Sequence, residues 1–193
     1  PGINFAFVSR GSSGVVVRGN MIGTDASGMV GFASTDKGIS FVGSFIAPLI
    51  EDNTISSDVG SGNAALDFIN GQVSSATIRN NNINVSADGT TAFNVTSRGI
   101  QSSDTNAGSS DWLITGNTIF SKAISILTEG TSVNYTITNN TIGMDSTRTN
   151  CFADQGRGIL LSGQKDSVVG GTGTSDANFV CTDTGGKGIE IPG

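Results

Sequence analysis

The chain has 193 residues, the size of one domain, with 36% hydrophobic and only 13% charged residues, 28 Gly and no His, where about 25% charged is usual. The absence of His excludes Ser-His-Asp and Cys-His catalysis and any His-ligated metal centre. Ten Lys and Arg against sixteen Asp and Glu leave a net charge of −6. That argues against nucleic-acid binding, and no apolar run approaches the ~20 residues that span a bilayer.

The first element is Gly2-Ile3, a small residue followed by an aliphatic one. The opening Pro1-Gly2-Ile3 has no initiator Met and no signal-peptide pattern, so it reads as the start of a mature or excised piece. A β-branched run ending in Asn-x-Ile follows, from Val15 through Asn20 to Ile22, and then Lys37-Gly38-Ile39. The same pair of units returns as Leu49 to Ile55 around Asn53, with Ala65-Leu66. The third pass is Thr77 to Ile83 around Asn81, with Arg98-Gly99-Ile100. The fourth is Leu113 to Ile119 around Asn117, with Lys122-Ala123-Ile124. The fifth is Thr136 to Ile142 around Asn140, with Arg157-Gly158-Ile159. The sixth is degraded to Val168-Val169-Gly170-Gly171 before Lys187-Gly188-Ile189. From Gly2 to Gly188 the six intervals average 31 residues.

Apolar residues alternate within the units, as in Ile39/Phe41, Leu66/Phe68, Ile124/Ile126 and Ile159/Leu161, and a period of two means strand. The spacers are rich in Gly, Ser, Thr and Asp and read as turns. No repeat can bury its apolar side alone, so successive repeats must stack with parallel pairing from one to the next. The expected fold is therefore all-β: one domain over residues 1–193, a right-handed parallel β-helix (β-solenoid) of about six coils of roughly 31 residues with three short parallel sheets. At ~4.8 Å per coil it rises about 29 Å.

Asn20, Asn53, Asn81, Asn117 and Asn140 share one position between two short strands. A corner there is expected to need positive φ, which Asn tolerates, and stacked Asn amides can hydrogen-bond along a ladder. Phe32, Phe93 and Phe152 each lie ten residues after the Ile of an Asn-x-Ile unit and six before the next Gly-Ile. They mark long turns and are expected to tuck them against the wall. Phe179 keeps the first of these distances, counted from Val169.

The stretch from Gly19 to Gly28 and the run Val168-Val169-Gly170-Gly171-Thr172 resemble the repeats of secreted bacterial right-handed parallel β-helix proteins of the pectate-lyase-like superfamily. The resemblance spans essentially the whole chain. It implies Gly-Ile strands on one sheet and the strands flanking the Asn corner on the other two. For function it implies little, because the group mixes lyases, glycoside hydrolases, epimerases, tailspikes and adhesins. Its polysaccharide enzymes work on the Gly-Ile sheet and the adjoining long loops, and their catalytic constellation is not visible here.

Without His, carboxylates are the acid/base candidates, and a glycosidase needs two or three on neighbouring coils. Asp67 and Glu190 share a position but lie four intervals apart; Asp25 and Asp145 share another, with Ser86 between them. No catalytic residue is assigned. Asp in these turns reads as a turn former, with Ca²⁺ or a catalytic role as the alternative; otherwise no metal or cofactor is expected. Lys37, Arg98, Lys122, Arg157 and Lys187 each precede the small residue of a unit. This basic column reads either as a grip for an anionic glycan or as a solvated corner offset by Asp36, Asp154 and Asp183. Cys151 and Cys181 each lie seven residues before a Gly-Ile unit, which places them on adjacent coils within disulfide reach; the alternative is two free buried thiols. A bridge suits an oxidising compartment. Asn-x-Ser/Thr sequons occur at Asn84, Asn94, Asn134 and Asn139.

These readings lead to a non-enzymatic extracellular or cell-surface β-solenoid: a scaffold or adhesin of a surface layer, appendage or filament. Both ends look uncapped, so self-association or neighbouring solenoid segments are the expected partners. The alternative is a polysaccharide-binding or polysaccharide-degrading β-helix, a carboxylate-based lyase or hydrolase, or a phage tailspike-type module.

Overall fold

A computed structural model of the chain describes residues 5–32, 37–58, 60, 62–104, 109–131 and 133–192. Positions 2–4 and 33–36, which include the first Gly-Ile unit and Asp36, lie outside the described residues. The protein is all-β with parallel sheets, and its helical content among the described residues is a single 3-10 turn at Thr174–Asp176.

Strands fall into three ladders that the chain visits in rotation. Ladder I holds β1 (Phe5–Ser13), β4 (Ile39–Ile46), β7 (Ala64–Ile69), β11 (Arg98–Asp104), β14 (Ile124–Gly130), β17 (Arg157–Ser162) and β20 (Ile189–Glu190). Ladder II holds β2 (Val16–Arg18), β5 (Leu49–Glu51), β9 (Thr77–Arg79), β12 (Ser110–Thr115), β15 (Val133–Thr138) and β18 (Val168–Val169). Ladder III holds β3 (Met21–Ile22), β6 (Thr54–Ile55), β10 (Asn82–Ile83), β13 (Thr118–Ile119), β16 (Thr141–Ile142) and β19 (Phe179–Val180). Each strand pairs in parallel with the strand of its ladder one repeat on. The short β8 (Val73–Ser74) pairs with β4 and β12 and joins ladders I and II into one 14-stranded sheet, with ladder III a separate 6-stranded sheet, so the described strands form two sheets and not the three expected.

One buried cluster draws on all three ladders, with Ile39, Leu66, Ile100, Ile126 and Ile159 from the first. Val17, Ile50, Ile78, Ile114 and Ile137 come from the second, and Ile22, Ile55, Ile83, Ile119 and Ile142 from the third. A fully buried side chain of this size is worth about 1.5–3 kcal/mol relative to exposure, so like residues stacked in register supply the main drive for pairing. Aromatic rings fill the wider part. Phe41 stacks on Phe68 at 4.7 Å, Trp112 stands edge-on to Phe68 at 4.8 Å, and Trp112 stacks on Tyr135 at 5.3 Å. Their polar ends are satisfied inside, Trp112 Nε1 donating to Val73 O at 3.0 Å and Tyr135 OH lying 2.9 Å from Ser102 Oγ.

The register corrects the sequence reading in the fourth repeat. Ile126, not Ile124, pairs with Ile100 and Ile159, while Ile124 faces Arg157. The small residue of that repeat is Ser125, not Ala123. The position must be small because a Cβ on Gly99 would meet Ser125 O at 2.4 Å, and one on Gly158 would meet Gly188 O at 2.3 Å. Ser satisfies that constraint, and a rule written for Gly or Ala passes over it. Lys122 consequently stands outside the basic column.

The sixth repeat is also read differently. Phe179 is not a loop residue but the first residue of β19, paired with Thr141. The motif Asn178-Phe179-Val180 therefore completes the ladder series, displaced by an inserted stretch that includes the 3-10 turn.

Candidate functional site

The Asn corner is a continuous hydrogen-bonded column. Nδ2 of Asn20 donates to Asn53 Oδ1 at 3.0 Å, and Asn53, Asn81, Asn117 and Asn140 each donate to the next Asn at 2.9–3.0 Å, ending on Asn178. Each acceptor oxygen also receives the backbone N–H of the Asn one repeat earlier. The same amides bridge back to ladder II, Asn81 Nδ2 donating to Ile50 O and Arg79 O at 3.0 Å.

The left-handed residue at this corner is not the ladder Asn, as expected from sequence, but the residue before it. Gly19 (φ 68°), Asp52 (57°), Asn80 (55°), Gly116 (67°) and Asn139 (54°) take that conformation. The preceding residue turns the chain, which leaves the ladder Asn free to point inward.

The long turns form three hairpin loops of identical design: loop A (residues 23–32), loop B (84–93) and loop C (143–152). Each is closed by a first-to-last bond, from Phe32, Phe93 and Phe152 N–H to Gly23 O, Asn84 O and Gly143 O at 2.8–2.9 Å. Each has a left-handed residue at its start, Gly23, Asn84 or Gly143, and another at its tip, Gly28, Gly89 or Arg148. Asp25 organises loop A, accepting from Ser27 Oγ at 2.7 Å and from the Met29 and Val30 amides at 2.9 and 3.0 Å. Asp145 does the same in loop C through Thr147 Oγ1 at 2.7 Å and the Thr149 amide at 3.0 Å. In loop B, Ser86 takes the position and leans on Asp88 at 2.5 Å. The Ser27 hydroxyl and then the Val30 amide hold Asp25 below the usual carboxylate range, and the Thr147 hydroxyl and then Asn150 hold Asp145 well below it. Both stay ionised at neutral pH, which unsuits them as general acids.

The loops stack on one another. Ala87 N–H donates to Gly28 O and Ser146 N–H to Gly89 O, both at 2.9 Å. They stand on alternate repeats because a hairpin is two strands thick and fills the height of two repeats. The intervening repeats have short connections, and their shortness opens two clefts. One, of about 340 Å³, lies between loops B and C over the fourth repeat, with Phe93, Asn94, Phe120, Lys122, Phe152 and Asp154 among its lining residues. The other, of about 270 Å³, lies between loops A and B and is lined by Phe32, Ser56, Phe93, Asn94 and Val95 among others. Phe93 is buried at 7% exposure with Val85, Val95 and Phe120 in a satellite cluster, Phe152 is half-buried against it, and Phe32 is 52% exposed. Of the three loop phenylalanines, Phe32 does not tuck in.

Loop C is fastened by other means. Cys151 and Cys181 are joined by a disulfide with Cα atoms 5.9 Å apart. Arg148 lies over the Phe179 ring at 4.0 Å and donates to Asn139 Oδ1 at 2.8 Å.

Four of the five basic residues are held by neighbouring carboxylates and Arg98 by an amide oxygen. Lys37 Nζ is 2.6 Å from Asp67, Arg157 is 3.5 Å from Glu190, and Lys187 also engages Glu190. Arg98 donates to Gln101 Oε1 at 2.8 Å, and the displaced Lys122 pairs with Asp154 at 3.1 Å. Asp36 lies outside the described residues; Asp154 pairs as expected, and beside Lys187 it is Glu190 that takes the offsetting role expected of Asp183. Burial pushes the Asp67 carboxyl up against the opposing pull of Lys37, whereas Lys187 first and then Arg157 hold Glu190 down. A further charge column went unnoticed in the sequence: Arg18, Glu51 and Arg79 stand in register on ladder II, with Glu51 between the two guanidiniums. Its signal was the shared offset from Val17, Ile50 and Ile78. Among the described residues, no group of three or more Cys, Asp or Glu side chains gathers to hold a metal, and no helix is long and apolar enough to cross a membrane.

Comparison of the chain with protein-family models, curated proteins and solved structures finds no match.

Proposed function

We propose that the chain forms a right-handed parallel β-helix, akin to the secreted pectate-lyase-like proteins, that works outside the cell as a structural or adhesive rod rather than as an enzyme. The observation that carries this reading is the Asn column from Asn20 to Asn178, in which polar side chains bind the next repeat instead of facing a ligand. The stacked loops and paired charges spend their polar groups the same way. Such a rod lengthens by strand addition at its outermost strands, from another segment or another copy.

The test has two arms. Solution scattering and electron microscopy of the purified chain should give rods or filaments, and incubation with neutral and anionic polysaccharides should release no reducing ends. Compact particles, or glycan cleavage lost in Asp67→Asn, would overturn the reading.

A second reading, a binding module for a neutral polysaccharide, is favoured by the exposed Phe32 and the half-buried Phe152, which line the two clefts on the loop face. Retention on an immobilised polysaccharide that drops in Phe32→Ala would support it.

A further inference from the structure

The four sequons are placed very differently by the fold. Asn84 is fully buried, its Oδ1 accepting from the Ser57 amide at 3.2 Å and its Nδ2 donating to Phe120 O at 3.2 Å. Asn139 has its Oδ1 held by Arg148, and its sequon threonine, Thr141, is buried in β16. Asn134 is exposed, but Tyr135 beside it is buried and Thr136 pairs on both sides, with Leu113 and Val168. Engaging that sequon would require unzipping ladder II. Asn94 is exposed and lies with the buried Val95 and the exposed Thr96 in irregular backbone before β11. The Thr96 hydroxyl and amide donate to Asp58 Oδ1 at 2.8 and 2.7 Å, an exposed contact that can open without unpairing a strand. Its amide has no hydrogen-bond partner among the described residues. It also stands at the mouth of both clefts, beside Phe93 and across from Phe152.

We propose that Asn94 is an acceptor for an N-linked glycan whose first sugar seats in the cleft between loops B and C. This rests on the extracellular reading, since the donor belongs to the export route. In the transfer, Nδ2 of Asn94 displaces the diphosphate from C1 of a lipid-diphosphate-linked oligosaccharide. The N–C bond forms, the C–O bond to the diphosphate breaks, the lipid diphosphate leaves with the electron pair, and the amide proton passes to a base of the transferase. The 340 Å³ cleft is at the small end of ligand sites. It has aromatic walls for the apolar face of a sugar ring, while Thr90, Thr91, Lys122 and Asp154 at its rim supply polar partners.

The folded, disulfide-bonded chain is treated with an oligosaccharyl transferase and its lipid-linked donor, and the products are mapped by peptide mass spectrometry. Modification at Asn94, with Asn84 and Asn139 untouched and no transfer to Asn94→Gln at that position, is the expected result. Failure to modify Asn94 while a free sequon peptide in the same mixture is modified overturns the proposal. If the sugar seats in the cleft, glycosylation raises Tm by about 2 °C, the scale of a fraction of a kcal/mol for a chain of this size. That rise should vanish in Phe152→Ala and in the milder Phe152→Leu. An equal rise in both variants places the sugar elsewhere and overturns the seat. The extracellular reading fails separately, by free thiols at Cys151 and Cys181 in chain taken from its own cells.

Discussion

The Asn corner and the loop ridge are both stacks built by repetition, yet they run at different intervals. At the corner, one side chain per repeat reaches the next, from Asn20 to Asn178. On the ridge, loops A, B and C meet only on alternate repeats. The difference is one of thickness: an amide fits within the height of a single strand, and a hairpin needs two. The two stacks also end differently. Asn178 closes its column as the acceptor of Asn140, its own Nδ2 donating to Ile137 O, whereas loop C carries Arg148 where loops A and B carry Gly28 and Gly89. A Cβ on Gly28 would meet Ala87 at 2.8 Å, and one on Gly89 would meet Ser146 at 2.7 Å. Among the described residues no further loop lies on Arg148, so a side chain is tolerated there.

The strongest way to break this comparison is at the corner. Asn117→Ala removes the acceptor of the Asn81 amide and the donor to Ile78 O and Asn140. Two or more buried groups left unpaired at 1–3 kcal/mol each predict a loss of about 3–5 kcal/mol. Asn20→Ala, at a half-buried position, should lose about 1 kcal/mol. Urea unfolding of the two variants measures the contrast, and equal losses would mean that the column is not a cooperative unit.

The disulfide tests what replaces stacking at loop C. Cys151→Ser opens a cross-link with a sequence separation of 30, for which the chain-entropy account predicts a loss of about 3–4 kcal/mol. Limited proteolysis should then cut first within residues 143–157, with loops A and B still protected. Cutting at all three loops alike would show that the ridge does not depend on the bridge.

The two-repeat spacing itself is sharpened by Gly89→Ala. A left-handed Ala is strained by about 1–2 kcal/mol, and its Cβ must displace Ser146, so a loss of about 2 kcal/mol is expected. Arg148→Gly exchanges relief of the same strain for loss of the Phe179 and Asn139 contacts and should change stability by less than about 1 kcal/mol. Equal effects in thermal unfolding would deny that loop B is loaded from above and loop C is not.

Much of this was legible from spacing alone. Five of the six column asparagines, the cysteine pair and the hairpin phenylalanines follow from residues that recur at fixed distances, because stacking forces equal side chains into equal places. The parallel pairing could be inferred because no repeat can bury its own apolar face. The misses have physical causes. Ser125 does the work of a Gly because its position demands small size rather than a particular residue. Asn178 is hidden by the inserted 3-10 turn, since the ladder fixes where an Asn arrives and not how many residues precede it. The turn at the corner falls on Gly19, Asp52, Asn80, Gly116 and Asn139, because an Asn committed to the column cannot also supply the left-handed bend. The clefts were invisible, as they depend on the height of a hairpin relative to a strand.

The smallest expected effect concerns protons on the ridge. Hydrogen bonds from Thr147, Asn150 and Thr149 hold the Asp145 carboxyl well below its ordinary value of 3.8. The unfolded chain therefore binds this proton more readily than the folded one, and folding stability from Asp145 rises with pH. It is present above the ordinary value and fades as pH falls below it toward the folded one. Asp145→Asn, which keeps the shape but accepts through one oxygen only, should be less stable than the wild type at neutral pH, and the gap in urea midpoint should narrow steadily below about pH 4. The control Asn82→Ala removes an amide that donates to Ala87 O in loop B without adding a titratable group, and should show no such narrowing. A gap for Asp145→Asn that is constant with pH would mean that the loop is held by shape alone, and that the carboxylate charge at the centre of the hairpin contributes nothing to the ridge.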